Sequence, residues 1–187
     1  MSAVLPDELP EATKIELWWQ DEMRLGQKNG TVRQWARKGT RPRQPADQRY
    51  ESAYVFGAIC PGRGIGAAIV LPRADTGAMQ EHLDEIARHV AEGSHAVILM
   101  DRASWHTTDR LRVPQNISIL FLPPKSPELT RWRTYGSTCA RIGSPIGFET
   151  YDNILTAACD AWNNLLEAPE TITSIGTRNW AKNGQGI

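Results

Sequence analysis

Asp101 directly follows a run of five apolar residues, Ala96 to Met100. A strand that is buried on both faces reads as a short continuous apolar run. An acid at the end of such a strand lies at the rim of a sheet, where ligands are usually bound. The alternative is that Asp101 only caps the next segment, as Asp does well. A second carboxylate at a neighbouring strand end would favour the chemical role.

Asp21 is that second carboxylate. Ile15, Leu17 and Trp19 alternate along the first predicted strand, and the same parity continues to Asp21. The pleat therefore directs Asp21 to the same side as the apolar set. Burying a charge without a partner is costly, so a lone acid in this place indicates a function.

A cluster of basic residues follows Asp21. Seven cations and no acid lie between positions 24 and 43, and Trp35 lies among them. Such a cluster suits the phosphate backbone of a nucleic acid, because neutralising phosphates dominates nucleic-acid affinity. The alternative is a solvated loop and hairpin face. For Trp35 itself, a place in the core is an alternative to contact with DNA. The candidate DNA-binding residues are Arg24, Lys28, Arg33, Arg37, Lys38, Arg41 and Arg43.

The composition is that of one ordinary globular domain. The chain has 187 residues, is 41% hydrophobic and 22% charged, and carries no net charge. No window approaches the ~18 apolar residues of a membrane span, so we expect no membrane partner. Three widely separated cysteines form no metal-binding spacing and predict a reduced, cytoplasmic protein. We expect residues 1–12, which have no apolar core, to be a leader and not a signal peptide.

The order of predicted elements indicates an α/β fold. Consecutive antiparallel strands followed by alternating helices and strands favour a mixed sheet with helices packed on its faces. Asn29-Gly30 predicts a hairpin between the first strand and the second. The spacing Gly62-x-Gly64-x-Gly66 lies between two strands with no helix after it, which argues against a dinucleotide loop. The predicted strands span 15–21, 31–36, 54–59, 65–71, 96–101 and 117–122, and the predicted helices span 75–91, 109–113 and 150–166.

Four motifs in this order resemble the catalytic domain of DDE superfamily endonucleases, the bacterial insertion-sequence transposases of the mariner-related group. The resemblance covers about residues 14–129 and resumes over about 148–182. The motifs are Leu17-Trp18-Trp19-Gln20-Asp21-Glu22, Arg33-Gln34-Trp35-Ala36-Arg37-Lys38-Gly39, Ile98-Leu99-Met100-Asp101 and Leu122-Pro123-Pro124-Lys125-Ser126-Pro127-Glu128-Leu129.

The resemblance implies a ribonuclease-H-like mixed sheet in which two aspartates and a third acid hold two divalent cations. Asp21 and Asp101 match the two aspartates, as catalytic residues and metal ligands. Two metals about 3.5–4 Å apart serve the attacking and leaving oxygens of phosphodiester transfer. Carboxylate oxygens suit Mg²⁺, with Mn²⁺ as a substitute. His106 matches an auxiliary histidine that either touches the scissile phosphate or packs.

The implied partners are the DNA of transposon ends and target, and a second copy of the chain in a homodimer. Family members also carry an N-terminal helix-turn-helix region that reads the ends of the element. Nothing before residue 12 matches it, so the expected domain organisation is a leader at 1–12 and a catalytic core at 13–129. A C-terminal helix and tail of the same domain follow at 148–187.

The segment at 130–147 departs from the family pattern, which continues as Asn-Pro-x-Glu-Asn-x-Trp and supplies the third acid. A string encoding Asn-Pro-Val-Glu-Asn-Ile-Trp-Gln-Tyr is AAC CCG GTG GAG AAC ATA TGG CAG TAC. Deleting one A gives ACC CGG TGG AGA ACA TAT GGC AGT AC, which encodes Thr130 to Ser137 and begins Thr138. We therefore interpret 130–147 as frameshifted, with the frame restored near Phe148. The alternative is a genuine replacement of the loop.

In this interpretation Arg133 stands where the third acid belongs, so the domain is expected to be degenerate, with little or no strand transfer. Glu128 is an auxiliary candidate for the missing ligand, and Glu149 and Asp152 are weaker ones. Two alternative functions stay open. One is a catalytically inactive DNA-binding domain, and the other is a ribonuclease-H-like nuclease that needs only two carboxylates.

Overall fold

The fold is built on a five-stranded mixed sheet with the strand order β3-β2-β1-β4-β5. The computed structural model describes residues 13–27, 35–40, 49–123 and 148–176. The strands are β1 (Lys14–Gly26), β2 (Ser52–Cys60), β3 (Ile65–Leu71), β4 (Ser94–Met100) and β5 (Ile117–Phe121). The helices are α1 (Thr76–His89), α2 (Tyr151–Leu166) and α3 (Pro169–Gly176).

The central strand β1 pairs with antiparallel and parallel neighbours along its two edges. It runs antiparallel to β2, which is also antiparallel to β3. On its other edge β1 runs parallel to β4, with Trp19 opposite Leu99 as the last pair, and β4 runs parallel to β5. Parallel strands need a crossover connection, and α1 lies between β3 and β4 in the chain.

Helix α1 covers one face of the sheet. The Asp75 side chain caps its N-terminus by accepting a hydrogen bond from the Ala78 N–H at 2.9 Å. The helix that was predicted at 75–91 has an apolar stripe that is buried at Met79, Leu83 and Ile86, because residues three and four apart share one side of a helix. These side chains pack against even-numbered residues of β1 and β4, including Trp18, Ile98 and Met100.

Helices α2 and α3 cover the opposite face. Thr150 caps α2 by accepting from the Asn153 N–H at 3.2 Å. Buried residues of the two helices, Ala161, Leu165 and Ile172, pack with Trp19 and Leu99. Gly66 in β3 permits this approach, because an added Cβ there would lie 2.9 Å from both the Ala58 carbonyl oxygen and Trp162 Cζ2.

The buried carboxylate of Glu16 links three elements near the start of β1. Glu16 Oε2 accepts from Trp18 Nε1 at 3.0 Å, and Glu16 Oε1 accepts from the Ala91 N–H at 3.2 Å. Arg63 Nη1 lies 3.1 Å from Glu16 Oε1 and also donates to the His89 carbonyl at 2.7 Å. Glu16 therefore joins β1, the turn between β2 and β3, and the end of α1.

The predicted mixed α/β sheet with flanking helices is confirmed. Three local predictions are corrected: the end of the first strand, the helix at 109–113 and the end of the strand at 31–36. Strand β1 continues past Asp21 to Gly26, and residues 109–113 form a turn followed by residues in no regular element. Trp35 and Ala36 are not in a strand, and β1 pairs with β2 and β4. Helix α3 had no counterpart among the predicted elements. The leader, the rest of the hairpin and the 130–147 segment lie outside the described residues.

Within the described ranges, none of the helices combines the length and the apolar character that crossing a membrane requires.

Candidate active site

Asp21 lies on β1, and Asp101 directly follows the adjacent parallel strand β4. Each follows the last β1–β4 pair, Trp19 and Leu99, by two residues, so continuing that register aligns the two aspartates. Because side chains alternate along a strand, Asp21 belongs to the face that carries Trp19 and Met23, under α2 and α3. Asp101 is the first residue after β4, and its side chain is 56% exposed. A solvated carboxylate at this position is accessible to a cation.

The loop after β4 folds back onto Asp101. Asp101 Oδ1 accepts from the Ala103 N–H at 2.9 Å. His106 Nδ1 lies 3.0 Å from the same oxygen and 3.1 Å from the Asp101 carbonyl oxygen. The His106 side chain is completely buried. A buried ring therefore contacts one oxygen of the Asp101 carboxylate, which is otherwise exposed.

Glu22 holds the other side of the His106 ring. His106 Nε2 lies 2.5 Å from Glu22 Oε1, and Trp105 Nε1 donates to the same oxygen at 3.1 Å. Potential ligand atoms of Glu22, Asp101 and His106 all lie within 4.8 Å of one another. The Glu22 main-chain N–H also donates to Asp21 Oδ1 at 2.9 Å. Glu22 therefore contacts both the first aspartate and the histidine that holds the second.

The charges of this cluster stabilise one another. Burial disfavours ionised Glu22, yet hydrogen bonds with His106, Trp105 and Gln20, together with the charge of His106, hold the pKa of Glu22 below its usual range. Burial also disfavours a charged His106, but its hydrogen bonds to Asp101 and Glu22 raise the pKa of His106 to about 9. At neutral pH the ring is therefore protonated, and both of its nitrogens donate to carboxylates.

The described basic residues are accessible for phosphate contacts. Arg24 on β1 is exposed, as are Arg37 and Lys38 in the segment at 35–40. Trp35 is fully exposed, so the alternative that it belongs to the core is wrong. Other sequence-predicted site residues lie outside the described part of the chain: Lys28, Arg33, Arg41, Arg43 and Glu128.

The weaker candidates for a third ligand stand apart from the histidine cluster. Glu149 and Asp152 are exposed at the start of α2, and neither belongs to the group formed by Glu22, Asp101 and His106. Glu149 contributes its backbone carbonyl to hydrogen bonds from Gln27 and Arg49. Nothing in the described residues brings either carboxylate to Asp101.

The sequence interpretation missed Glu22. Its parity places it on the α1 face, opposite Asp21, so alternation alone suggested no role beside Asp101. The even-numbered residues of β1 are mostly polar, so alternation did not predict that the Glu22 side chain would be only 9% exposed. A buried carboxylate requires a charged or hydrogen-bonding partner, and here that partner is His106.

The chain matches one family model and one curated relative over most of its length. The model, described as DDE superfamily endonuclease, matches residues 16–132. A protein of Sinorhizobium fredii (strain NBRC 101917 / NGR234), named uncharacterized protein y4pE/y4sA, is 50% identical over 133 residues. These residues cover 69% of this chain and 96% of that protein.

Solved structures of the Mos1 transposase share the fold. The Mos1 strand transfer complex aligns with a TM-score of 0.60 and 14% identity, over 92% of this chain and 55% of that chain. The Mos1 mariner paired end complexes with Mn and with Mg align with TM-scores of 0.57 and 0.56. Each has 14% identity and covers 87% of this chain and 56% of the other. The chain therefore spans little more than half the length of these solved structures.

The predicted ribonuclease-H-like fold is confirmed by this likeness. The family model extends over more than half of the chain and includes Asp21 and Glu22 on β1 and Asp101 after β4. The chain belongs to the DDE superfamily endonuclease family, as its motifs predicted.

Proposed function

We propose that this chain is a transposase-type DNA cleavage and strand-transfer domain of insertion-sequence origin, in bacteria, whose active site lacks its third acidic ligand. The observation that carries the proposal is that Asp21 and Asp101 each lie two residues beyond the last β1–β4 pair, Trp19 and Leu99, in a member of this family. Asp21 lies within the central strand β1, and Asp101 is the first residue after the neighbouring parallel strand β4. Strands position site residues more accurately than loops do, so the sheet fixes Asp21 and the point at which the loop that carries Asp101 begins.

The donor set of Asp21 and Asp101 fits Mg²⁺, or Mn²⁺ as its substitute, because both cations prefer carboxylate oxygens. When bound, two such ions would activate the attacking water or 3′-hydroxyl and stabilise the leaving oxygen. The Mos1 complexes crystallised with Mn and with Mg support divalent metal use in this fold. The residues of this chain contribute the ligands and their orientation.

DNA is the proposed partner, as transposon ends and as target, and a homodimer is the proposed assembly. The exposed cations Arg24, Arg37 and Lys38 support backbone contacts, since Lys and Arg neutralise phosphates without reading sequence. The fully exposed indole of Trp35 lies in the same segment and offers a surface on which an unpaired base can stack.

The missing ligand follows from the sequence at 130–147. In the frameshift interpretation Arg133 replaces an acid, so the site has one fewer oxygen ligand and one more cation. Both changes weaken the binding of a divalent ion. The nucleotide sequence of the gene tests this step directly: the interpretation is wrong unless another reading frame of this window encodes an Asn-Pro-x-Glu-like string.

Repairing the frame tests the whole function. The chain and a repaired version that regains the acid are each incubated with plasmid DNA and MgCl₂ or MnCl₂, and nicking and joining are scored on gels. We expect little or no reaction from the chain as it stands, and metal-dependent nicking from the repaired version that Asp101→Ala abolishes. Efficient cleavage by the unrepaired chain would contradict degeneracy. An inactive repaired chain that also binds no Mn²⁺ would contradict the transposase assignment.

A catalytically inactive DNA-binding domain is the second candidate. The exposed basic segment with Trp35 favours it, because this surface does not depend on the third acid. Salt-dependent DNA binding by an Asp21→Ala, Asp101→Ala double variant, without nicking by the parent chain, would support this candidate.

A further inference from the structure

Hydrogen bonds to Glu22 and His106 connect Asp21 with Asp101, from the main chain of Glu22 to its side chain and on to His106. The Glu22 main-chain N–H donates to Asp21 Oδ1 at 2.9 Å. The Glu22 side chain accepts from His106 Nε2 at 2.5 Å, and His106 Nδ1 donates to Asp101 Oδ1 at 3.0 Å. The connection therefore runs from one predicted metal ligand to the other.

Asp101 depends on these contacts because it lies beyond β4. The ladder between β1 and β4 ends at Trp19 and Leu99, so backbone pairing to β1 does not extend to Asp101. More than half of the Asp101 side chain is exposed, whereas the side chains of His106 and Glu22 are 0% and 9% exposed. A buried, packed donor therefore holds an exposed acceptor, which is an arrangement that fixes the orientation of the acceptor.

We propose that His106, held by Glu22, is a positioning residue that orients the Asp101 carboxylate toward the divalent cation. The inference rests on the proposed function, because it takes Asp101 as a metal ligand. In metal sites the carboxylate ligands are themselves hydrogen-bonded, and losing such a partner typically costs about 10–100-fold in metal affinity.

The same three residues invite a different assignment, in which they ligate the ion together. Both ring nitrogens of His106 are engaged with carboxylate oxygens, so a cation on either nitrogen would have to displace one of these hydrogen bonds. Trp105 Nε1 also occupies the Glu22 oxygen that faces the ring. These contacts favour a structural bridge over direct ligation by Glu22 and His106.

Two substitutions of His106 test its two hydrogen bonds separately, because Asn and Gln each keep only one of them. In His106→Asn the amide nitrogen takes the place of Nδ1 and keeps the hydrogen bond to Asp101. In His106→Gln it takes the place of Nε2 and keeps only the contact with Glu22. His95→Asn is the matched control, because His95 is also buried in the sheet but bonds Ser118 Oγ at 2.9 Å, toward the start of β4.

The measurement is Mn²⁺ binding to the full chain, followed by electron paramagnetic resonance without DNA. We expect His106→Gln to weaken binding about 10-fold or more, and His106→Asn and His95→Asn to stay within about 3-fold of the parent. Nitrogen hyperfine coupling to bound Mn²⁺ should be absent from the parent, because His106 does not ligate. Circular dichroism checks that each variant folds. If His106→Gln does not fold, Glu22→Gln is the second variant, and we expect it to lose less Mn²⁺ affinity.

Two outcomes would overturn the positioning role alone, and a third would overturn the proposed function. Equal affinities for parent, His106→Gln and Glu22→Gln would overturn the positioning role and leave Asp101 as a ligand. Equal losses in His106→Asn and His106→Gln, with nitrogen coupling in the parent, would make His106 a ligand and also overturn that role. Mn²⁺ binding that Asp101→Asn does not reduce would overturn the proposed function itself, and the positioning role with it.

Discussion

His106 and Glu22 are 84 positions apart in the chain, and His106 Nε2 lies 2.5 Å from Glu22 Oε1. The contact joins the loop after β4 to the central strand β1. Its significance lies in the neighbours of each residue, because Glu22 follows Asp21 directly and His106 contacts Asp101. Through one buried pair, the two aspartates that the sequence predicted as metal ligands become parts of a single hydrogen-bonded unit.

His82 should make the fold less stable as the pH falls below 6.5. Its side chain is completely buried on α1 against Phe56. Burial is the largest cause that lowers the pKa of His82 to about 3, and the His106 charge also lowers it. The Glu22 charge and a hydrogen bond with the Gly57 backbone act in the opposite direction. Between pH 6.5 and 3 the unfolded state therefore binds more protons than the folded state, so stability rises with pH through this window.

The measurement is urea unfolding of the parent and of His82→Leu at pH 7.5 and pH 5. At pH 5 protonation of unfolded His82 should cost the parent about 2 kcal/mol relative to pH 7.5. Between pH 7.5 and pH 5, His82→Leu should lose about 2 kcal/mol less unfolding free energy than the parent. Equal losses in both proteins would show that His82 is not the group responsible.

Removing the buried carboxylate of Glu16 should destabilise the fold strongly. Glu16→Ala leaves Trp18 Nε1 and the Ala91 N–H without their acceptor and Arg63 without its ion pair. Removing one partner of a buried ion pair costs about 3–5 kcal/mol, and partial exposure of Arg63 reduces the expected cost to about 2–4 kcal/mol. Chemical denaturation measures the free energy of unfolding.

Glu85→Gln is the control for Glu16. It removes a carboxylate that pairs with Arg88, whose side chain is 72% exposed. A surface pair of this kind contributes less than about 1 kcal/mol. If Glu16→Ala lowers the free energy of unfolding no more than Glu85→Gln does, the buried contacts of Glu16 do not stabilise the sheet.

A methyl group at Gly66 should disturb the packing of α2 on the sheet. Its Cβ would lie 2.9 Å from both the Ala58 carbonyl oxygen and Trp162 Cζ2, so backbone or indole must shift. Overpacking of this kind costs about 1–3 kcal/mol, and the Trp162 fluorescence should change with it. Gly77→Ala at the exposed start of α1 is the control, with an expected change within about 1 kcal/mol. Equal unfolding free energies for the two variants would contradict the close approach of Trp162.

The exposed basic segment should account for part of the salt dependence of DNA binding. An Arg37→Ala, Lys38→Ala variant should bind duplex DNA more weakly, with a slope of log affinity against log salt smaller by about 2. Fluorescence anisotropy over a range of NaCl concentrations measures both quantities. An Arg73→Ala, Arg88→Ala variant removes the same charge from exposed positions elsewhere and should keep the parental slope. Identical slopes in all three proteins would exclude a phosphate contact at Arg37 and Lys38.

The sequence by itself determined most of the strands, the helices α1 and α2, and the two candidate acids. Continuous apolar runs, the Asp75 and Thr150 caps and the helical stripe of α1 are local patterns, because they follow from backbone geometry and residues a few positions apart. The parity that assigns Asp21 to the face of Trp19 is local as well. The order of motifs was sufficient to predict the family, which the comparisons confirm.

Only the tertiary structure decided which residues surround those acids. The pairing of β1 with β2 and the exposure of Trp35 depend on contacts that local patterns do not encode. Glu22 is the clearest case, because alternation assigns it to the face opposite Asp21. The loop after β4 brings His106 to it across 84 positions, and a buried acid requires such a partner.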